Sequence, residues 1–504
     1  MPQEFLHGVE LVEVDSATRP IRTVKSSIIG LVGTAPDSEG AIKATLDIGS
    51  VALNNGINIS ADTAGLLGND ITLRIFNPGT NSATLAITVV DKAITVSLAT
   101  NSSAAATTTA AQLVTAIAAN TAAAALIDVV GMAGSSGAGI VPVTATTSLK
   151  GGLDEAFPLN QPVLLSSNRL EAARLGLNGS LPDAIDGIYD QIGALCVVVR
   201  VAQSVSDSSA QTLTNIIGGV NGSNGDFEGM QALFSAESKL GVVPRILIAP
   251  GFTHQASVLT SFVTVAERLK AIIVADGTNT TDAAAQVYAQ GFGSKRIYLV
   301  DPGVVIFKDG VNVNAPASSR VAGVIAKVDN DLGFWHSPSN KEINGIVGTK
   351  RAVDFTLNDA NCRANVLNSQ NITTIIRKEG YRVWGNRTLS SDQKWAFLSV
   401  TRTADLISDS ILRAHLWAVD KNITKNYLEL VANEVTAYLQ ILKAEGAIAG
   451  GKCYPDPDLN IPENFALGKV YFNFDFAPYY PAEHITFRQI LNNGYLADLV
   501  QLNS

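Results

Sequence analysis

The chain has 504 residues, 46% of them hydrophobic and 16% charged, with a formal net charge of −9. That length allows roughly two to four domains and a large core, and it leaves a surface built mainly of Ser, Thr, Asn and Gly. Such a surface suits a protein covered by copies of itself, and a weakly charged enzyme equally. The acidic balance without a concentrated basic run argues against a nucleic-acid-binding face. Cys196, Cys362 and Cys453 are far apart and form no CxxC pair, so neither zinc nor a disulfide framework is indicated and a reducing compartment fits. The opening MPQEFLHGVELVEVD has no basic n-region and no apolar h-region, so no signal peptide is expected, and no apolar run reaches membrane-span length.

Taken in order, residues 8–15 set apolar Val9, Leu11, Val12 and Val14 among Glu10, Glu13 and Asp15. A period near two predicts a strand. It has no local partner, so it is either an edge strand of its own domain or an arm completing a neighbour's sheet. Residues 26–33 predict a buried strand ending in a turn at residues 34–37. From residue 41 to 150 the composition shifts to Ala, Thr, Ser, Asn and Gly. Alternation at Leu85, Ile87 and Val89, and again at Ile94, Val96 and Leu98, predicts a hairpin. Ile71, Leu73 and Ile75 predict a further strand, and Leu113, Val114 and Ile117 share one face of a helix over 108–119. The glycines of residues 131–139 lack the strand-loop-helix context of a phosphate cradle. The segment reads as a small, mostly β domain inserted at a surface loop.

From Glu155 strands and helices alternate. Residues 181–192 predict a helix and residues 196–201 a buried strand, with Cys196 a core thiol. Residues 207–229 read as a polar loop around a short helix. Strands at 245–249, 271–275 and 297–300 are separated by helices at 255–270 and 281–290 and followed by one at 318–330. That order predicts a largely parallel sheet with right-handed crossovers. Ligands of such sheets sit beyond the strand C-termini, here residues 250–254, 276–278 and 301–303. Asp276 and Asp301 are the candidate metal or catalytic carboxylates, against the plainer reading of Asp-Pro-Gly turns.

Beyond residue 320, a helix with Val321, Ile325 and Val328 inward leads into a loop carrying Phe334 and Trp335, then short β-rich runs ending at Trp384, Gly385 and Arg387. A helix over 404–419 places Ile407, Ile411, Leu412, Leu416 and Val419 inward, with His415 a buried, hydrogen-bonded side chain on the same face. A second helix over 423–445 turns Leu428, Val431, Val435, Leu439 and Leu442 inward. Residues 446–453 match the P-loop spacing until Cys453 stands where Ser or Thr should be, and Pro455 precludes a following helix. They read as a helix end and turn. The Asp pairs at 329/331 and 456/458 are too sparse for a calcium loop. Residues 469–476 place Val470, Phe472, Phe474 and Phe476 on one side. Residues 484–491 alternate as well, through Ile485 and Phe487, and a hairpin between the two runs is expected. Tyr495, Leu496, Leu499 and Val500 form a last apolar segment.

The run AGVIAKVDNDLGFWHSPSN, with Trp335, Ser337, Pro338 and Asn340, followed by GYRVWGNRTL, with Trp384, Gly385 and Arg387, closely resembles contractile tail sheath proteins of P2-like bacteriophages. The resemblance covers residues from Phe5 to about Glu39 and from about Glu155 onward, not the segment between. It implies a multidomain α/β and α+β fold: an N-terminal linking arm (1–22), an α/β sheath body (23–40 and 153–370), the inserted mostly-β surface domain (41–152), an inner C-terminal helix-plus-hairpin domain (371–487) completed by arms of neighbouring subunits, and a C-terminal arm (488–504). The implied function is a helical homo-polymer around an inner tail tube, contacting baseplate and tail terminator proteins and contracting to drive the tube through the host envelope. It implies a virion tail component assembled in the bacterial cytoplasm, with no cofactor, no catalysis, no nucleic acid and no membrane insertion. Strand exchange between subunits is expected at Val9–Val14, Val470, Phe472, Phe474, Ile485, Phe487, Tyr495, Leu496, Leu499 and Val500. A tailocin or type six-like sheath and an α/β enzyme are the alternatives.

Overall fold

A computed structural model describes residues 20–495. They divide into two compact units, one of Leu31–Ile185 with Val197–Gly241, the other of residues 20–30, Asp186–Cys196 and 242–495. The expected strand over residues 8–15, and Leu496, Leu499 and Val500, lie outside the described residues.

The first unit opens with β1 (Ile29–Thr34), buried throughout, and a turn at Pro36-Asp37. The inserted segment then forms β2 (Thr45–Ile48), β3 (Ile57–Ala61), β4 (Thr72–Phe76), β5 (Ala86–Val90), β6 (Ala93–Ser97), helix α1 (Ala110–Ala119), β7 (Ile127–Gly131) and β8 (Thr144–Ser148). The expected hairpin is β5–β6, paired antiparallel from Ala86↔Ser97 to Val90↔Ala93. Alternation, however, does not reveal partners distant in sequence: β6 also pairs in parallel with β4, and β4 antiparallel with β8. A second sheet runs β2-β3-β7. Thr109 caps α1 in a reciprocal box, its hydroxyl accepting from Gln112 N while Gln112 Oε1 accepts from Thr109 N at 2.9 Å. Leu113 and Ile117 turn into a core drawn from residues 44–149, with Leu73, Ile75, Ile94, Val96 and Leu98. The two ends of the segment meet: Ile42 N donates to Leu153 O at 2.8 Å and Leu153 N to Ile42 O at 3.1 Å. The remainder carries β9 (Pro162–Ser166), α2 (Leu181–Tyr189), β10 (Leu195–Val201) and α3 (Ala210–Ile217), with neighbours in the order β1-β10-β9.

In the second unit β11 (Ile246–Ile248), β12 (Ile272–Asp276) and β13 (Ile297–Val300) pair in parallel, separated by α4 (Ala256–Leu269) and α5 (Asp282–Gln290). These bounds fall within one or two residues of the sequence expectation. A continuous apolar run such as Ile272–Ala275 can be satisfied only by cover on both faces. Next come the antiparallel pair β14 (Val304–Lys308) and β15 (Val311–Ala315), α6 (Ser318–Asp331), and the hairpin β16 (Thr374–Arg377)–β17 (Tyr381–Trp384). The C-terminal part holds α7 (Leu398–Ala414), α8 (Lys425–Ala444), β18 (Ile448–Pro455) and β19 (Phe472–Pro478).

Three expectations in that last part are overturned. Helix α7 ends at Ala414, so the apolar period past it does not keep its inward face and Leu416 and Val419 are exposed at 77% and 61%; Leu412, still within the helix, turns outward as well, at 63%. Residues 448–455 are a strand rather than a helix end and turn, and β19 pairs with that strand, from Ile448↔Pro478 to Pro455↔Phe472. Residues 484–491 therefore do not form a hairpin with 469–476; they carry no helix or strand and join no sheet among the described residues.

Candidate linking site in the C-terminal module

Helices α7 and α8 enclose a core of Leu406, Ile407, Val435, Tyr438, Leu439 and Leu442, closed by Phe334 and flanked by Trp335 in an edge-to-face pair at 4.9 Å. Trp335 is thus a packing residue. The other residues of the resemblance build the turn beside it. Asn340 adopts a left-handed φ of 61° and donates from its amide to Val383 O at 2.6 Å, while Ser337 Oγ accepts from Ser339 N and Lys341 N donates to Pro338 O. Ser339 Oγ accepts from Gly385 N at 3.0 Å. Gly385 sits at φ 140°, where a Cβ would stand 2.7 Å from Thr373 Oγ1, so only glycine fits. Trp384 stacks edge-on against Phe355 at 4.7 Å.

That turn delivers Arg387. Its guanidinium lies 4.8 Å from the Phe397 ring and grips both carboxylate oxygens of Glu483, Nε at 2.9 and 3.0 Å and Nη2 at 2.6 Å. Phe397 meets Tyr480 edge-on at 6.1 Å. The chain is therefore pinned at residues 480–483, and past that point apolar side chains stand in solvent: Ile485 is 66% exposed, Phe487 91%, Leu491 84% and Tyr495 75%. Glu483, Tyr480 and Phe397 carry no sequence signal, because the partner of Arg387 lies 96 residues away.

The N-terminal side is fixed to the same helices. Ile21 is buried in the helix-pair core, Thr23 Oγ1 and Tyr438 Oη are 3.0 Å apart, and Val24 N donates to Ser410 Oγ at 3.0 Å. Sheet β18–β19 lies against α8 through Leu439, and Gly451 is required there: a Cβ would come within 2.6 Å of Asp475 O. Of the expected exchange residues, Val470 and Phe472 are half-buried, while Phe474 is exposed and stacks on Phe476 at 6.4 Å.

The carboxylates at the strand C-termini have internal partners. Asp276 Oδ1 accepts from Ser318 N at 2.9 Å and Oδ2 from Ser318 Oγ at 2.7 Å, so it caps α6; burial pushes its carboxyl up, and these hydrogen bonds oppose that. Asp301 accepts from Asn279 N at 2.7 Å and from Arg351 Nη2 at 2.6 Å. Burial pushes the Cys196 thiol up to about 12 and that of Cys453 to about 11, far from a reactive thiolate. His415 Nδ1 donates to Ile411 O at 2.7 Å, the hydrogen bond that was expected, but the residue is half-buried at the end of α7 rather than buried. Among the described residues no group of three or more His, Cys, Asp or Glu side chains is placed to hold a metal ion, and no helix is long and apolar enough to cross a membrane.

Residues 225–389 match the model of the phage tail sheath protein central domain, and residues 390–492 that of the phage tail sheath C-terminal domain. A prophage major tail sheath protein of Pseudomonas aeruginosa (strain UCBPP-PA14) is 45% identical over 345 residues, 68% of this chain and 89% of that protein. The tail sheath protein of Escherichia phage P2 is 34% identical over 69% of this chain and 89% of its own. That of Burkholderia phage BcepMu is 28% identical over 99% of both. Among solved structures, the contracted helical sheath of the anti-feeding prophage shares the fold with a TM-score of 0.53 at 19% identity, over 66% of this chain and 89% of that one. The contracted sheath complex of the PVC extracellular contractile injection system gives 0.51 at 19% identity, over 68% and 89%. The chain belongs to the phage tail sheath family.

Proposed function

We propose that this protein is the repeating subunit of a contractile tail sheath, joined to its neighbours by exchanged backbone strands and wound helically around an inner tail tube. Head-to-tail contacts that do not close into a ring generate an open helix. The observation that carries the reading is the run at residues 484–491, without helix or strand, pinned at Glu483 and apolar beyond it, in the same module as a sheet that has two strands among the described residues. An exchanged strand making about four to six backbone hydrogen bonds, at roughly 0.5–1.5 kcal/mol net each, contributes several kcal/mol before apolar burial. Such links persist while softer contacts between subunit bodies rearrange.

In this reading the extended sheath is metastable, contracts once when a baseplate triggers it, and drives the tube through the host envelope. Energy resides in conformation and packing, not in nucleotide hydrolysis by this chain; the helix-capping role of Asp276 and the Arg351 pairing of Asp301 support a structural assignment. Residues 41–152 decorate the outside, the arms are residues 1–22 and 488–504, and a tail terminator closes the polymer. Assembly takes place in the bacterial cytoplasm and the product is a virion tail. The fold likeness to the anti-feeding prophage and PVC sheaths favours one second reading, the sheath of a headless injection particle.

Removal of residues 1–18, or truncation after Asn492, tests the linkage. Each variant is expected to give cooperatively folded monomers that form no cylinders in electron micrographs. Normal cylinders from either one would sink the strand-exchange reading.

A further inference from the structure

Large apolar side chains stand in solvent where the inserted domain leaves the rest of its unit. Ile42 and Leu153, hydrogen-bonded to each other in both directions, form an antiparallel bonded pair, so their side chains share one face, and both are exposed. Beside them a single 3-10 turn, Leu66–Asp70, holds Leu66 at 54% and Leu67 at 72% exposure. Gly65 N donates to Ile42 O at 3.0 Å, which ties the start of the turn to that pair.

The turn is clamped in place. Asn69 Nδ2 donates to Gly152 O and Asn69 Oδ1 accepts from Gly152 N, each at 2.9 Å. Asp154 Oδ1 accepts from Leu66 N at 2.8 Å. Lys92 Nζ donates to Leu67 O at 3.3 Å and to Asp70 Oδ2 at 2.9 Å. The underside has no room: a Cβ on Gly68 would stand 2.9 Å from Ala61 Cβ and 3.0 Å from Ala44 Cβ, and one on Gly152 would stand 2.4 Å from Gly65 O. The fold therefore presents the two leucines to solvent on a fixed support. Side chains held in advance lose little freedom when something covers them, and a contiguous exposed apolar patch marks a contact surface.

We infer that Ile42, Leu66, Leu67 and Leu153 form a docking patch for a second copy of this chain in the assembled sheath. This rests on the polymer reading above and adds to it a contact outside the residues that the two family models match. The charges beside the patch are engaged: Lys92 pairs with Asp70, Lys43 with Asp128 at 3.2 Å, and Asp154 holds Leu66 N. A charged partner finds little there to hold, whereas a surface poor in charge fits. This chain, with 16% charged residues, offers such a surface, and a helical polymer sets further copies against each one. In an open helix the contact is head-to-tail, so the patch meets a different surface of its neighbour.

An electron cryo-microscopy map of filaments of the full-length protein tests this without any substitution. Leu66 and Leu67 are expected beneath a neighbouring copy. Both facing solvent, or covered by anything other than this chain, overturns the patch and leaves the polymer standing. Failure of the full-length protein to form filaments overturns the polymer reading, and the patch with it. In solution, Leu67→Asp should leave the monomer's thermal midpoint unchanged, because the side chain touches little of its own fold. It should raise the protein concentration needed for filaments about tenfold or more, the factor that follows from losing one buried leucine at a contact. Leu67→Met, apolar and similar in size, should assemble like the parent. Equal assembly concentrations for L67D and the parent overturn the proposal, and if L67D does not fold, the cover over Leu66 and Leu67 in the map stands as the test.

Discussion

Arg387 holds Glu483 with a two-pronged ion pair that fixes where the C-terminal segment leaves the body, 2.6 Å at its shortest, with side-chain exposures of 29% and 44%. Pairs this exposed contribute about 0–1 kcal/mol to folding, so the consequence of losing it is positional. Arg387→Ala and Glu483→Gln should each leave the thermal midpoint within a few degrees of the parent, while amide exchange across residues 479–490 accelerates and filament yield falls. Arg387→Lys, which keeps the charge and loses the fork, should fall between. Unchanged exchange in R387A would show that Tyr480 and Phe397 alone hold the segment.

The inserted domain should be separable. Its core is drawn from residues 44–149, and Ile42 and Leu153 are hydrogen-bonded to each other across its base. Excising residues 44–151 and joining the ends through a short glycine turn should preserve folding and filament formation. Residues 41–154 alone should unfold as one cooperative transition. Loss of the body's fold on excision would mean that the insertion contributes to the body's core.

What the sequence revealed and what it hid follow from how far each signal reaches along the chain. The βαβ order was legible because Ile272–Asp276 and Ile297–Val300 are unbroken buried runs between helices of clear period. The β5–β6 hairpin was legible for the same local reason. Strand β18 was not: residues 446–453 have no alternation, and what makes them a strand is β19, some twenty residues on, together with Thr436 and Gln440. Periodicity likewise extended α7 to Val419 because it cannot register that the helix leaves the core after Ala414. The motif pointed to Arg387; nothing local could have pointed to Glu483.

Helix α7 is joined to the α/β part of its unit by charge. Arg402, Asp405 and Asp409 fall on one face at spacings of three and four, and pair with Asp329, Arg296 and Arg245. Asp329 and Arg402 have side-chain exposures of 1% and 4%. Arg402→Ala strands a buried carboxylate and should cost about 3–5 kcal/mol in chemical denaturation, whereas replacing both partners together (Arg402→Met with Asp329→Leu) should recover much of that. A double variant no more stable than R402A would show that the pair's geometry, rather than its charge balance, holds the helix in place.

Acid should weaken the fold through Asp282. Burial pushes its carboxyl up, but hydrogen bonds and charge from Arg363 and Arg351 outweigh that and leave it below its ordinary value. Arg351 Nη2 lies 2.7 Å from Asp282 Oδ1, and Arg363 Nε 2.7 Å from Oδ2. Because the folded value is depressed, the unfolded chain binds the proton more readily. The contribution is therefore fully present above the unfolded carboxyl value of about 3.9 and is lost as pH falls through the lower folded one. Asp282→Asn removes this titration and leaves Arg351 with Asp301 as its remaining carboxylate. Stability measured by denaturation from pH 7 to pH 2 should start lower in the variant and then fall less steeply below about pH 4 than in the parent. Parallel curves for the two proteins across that range would show that the carboxyl of Asp282 takes up no differential proton on unfolding, and that the cluster acts through geometry alone.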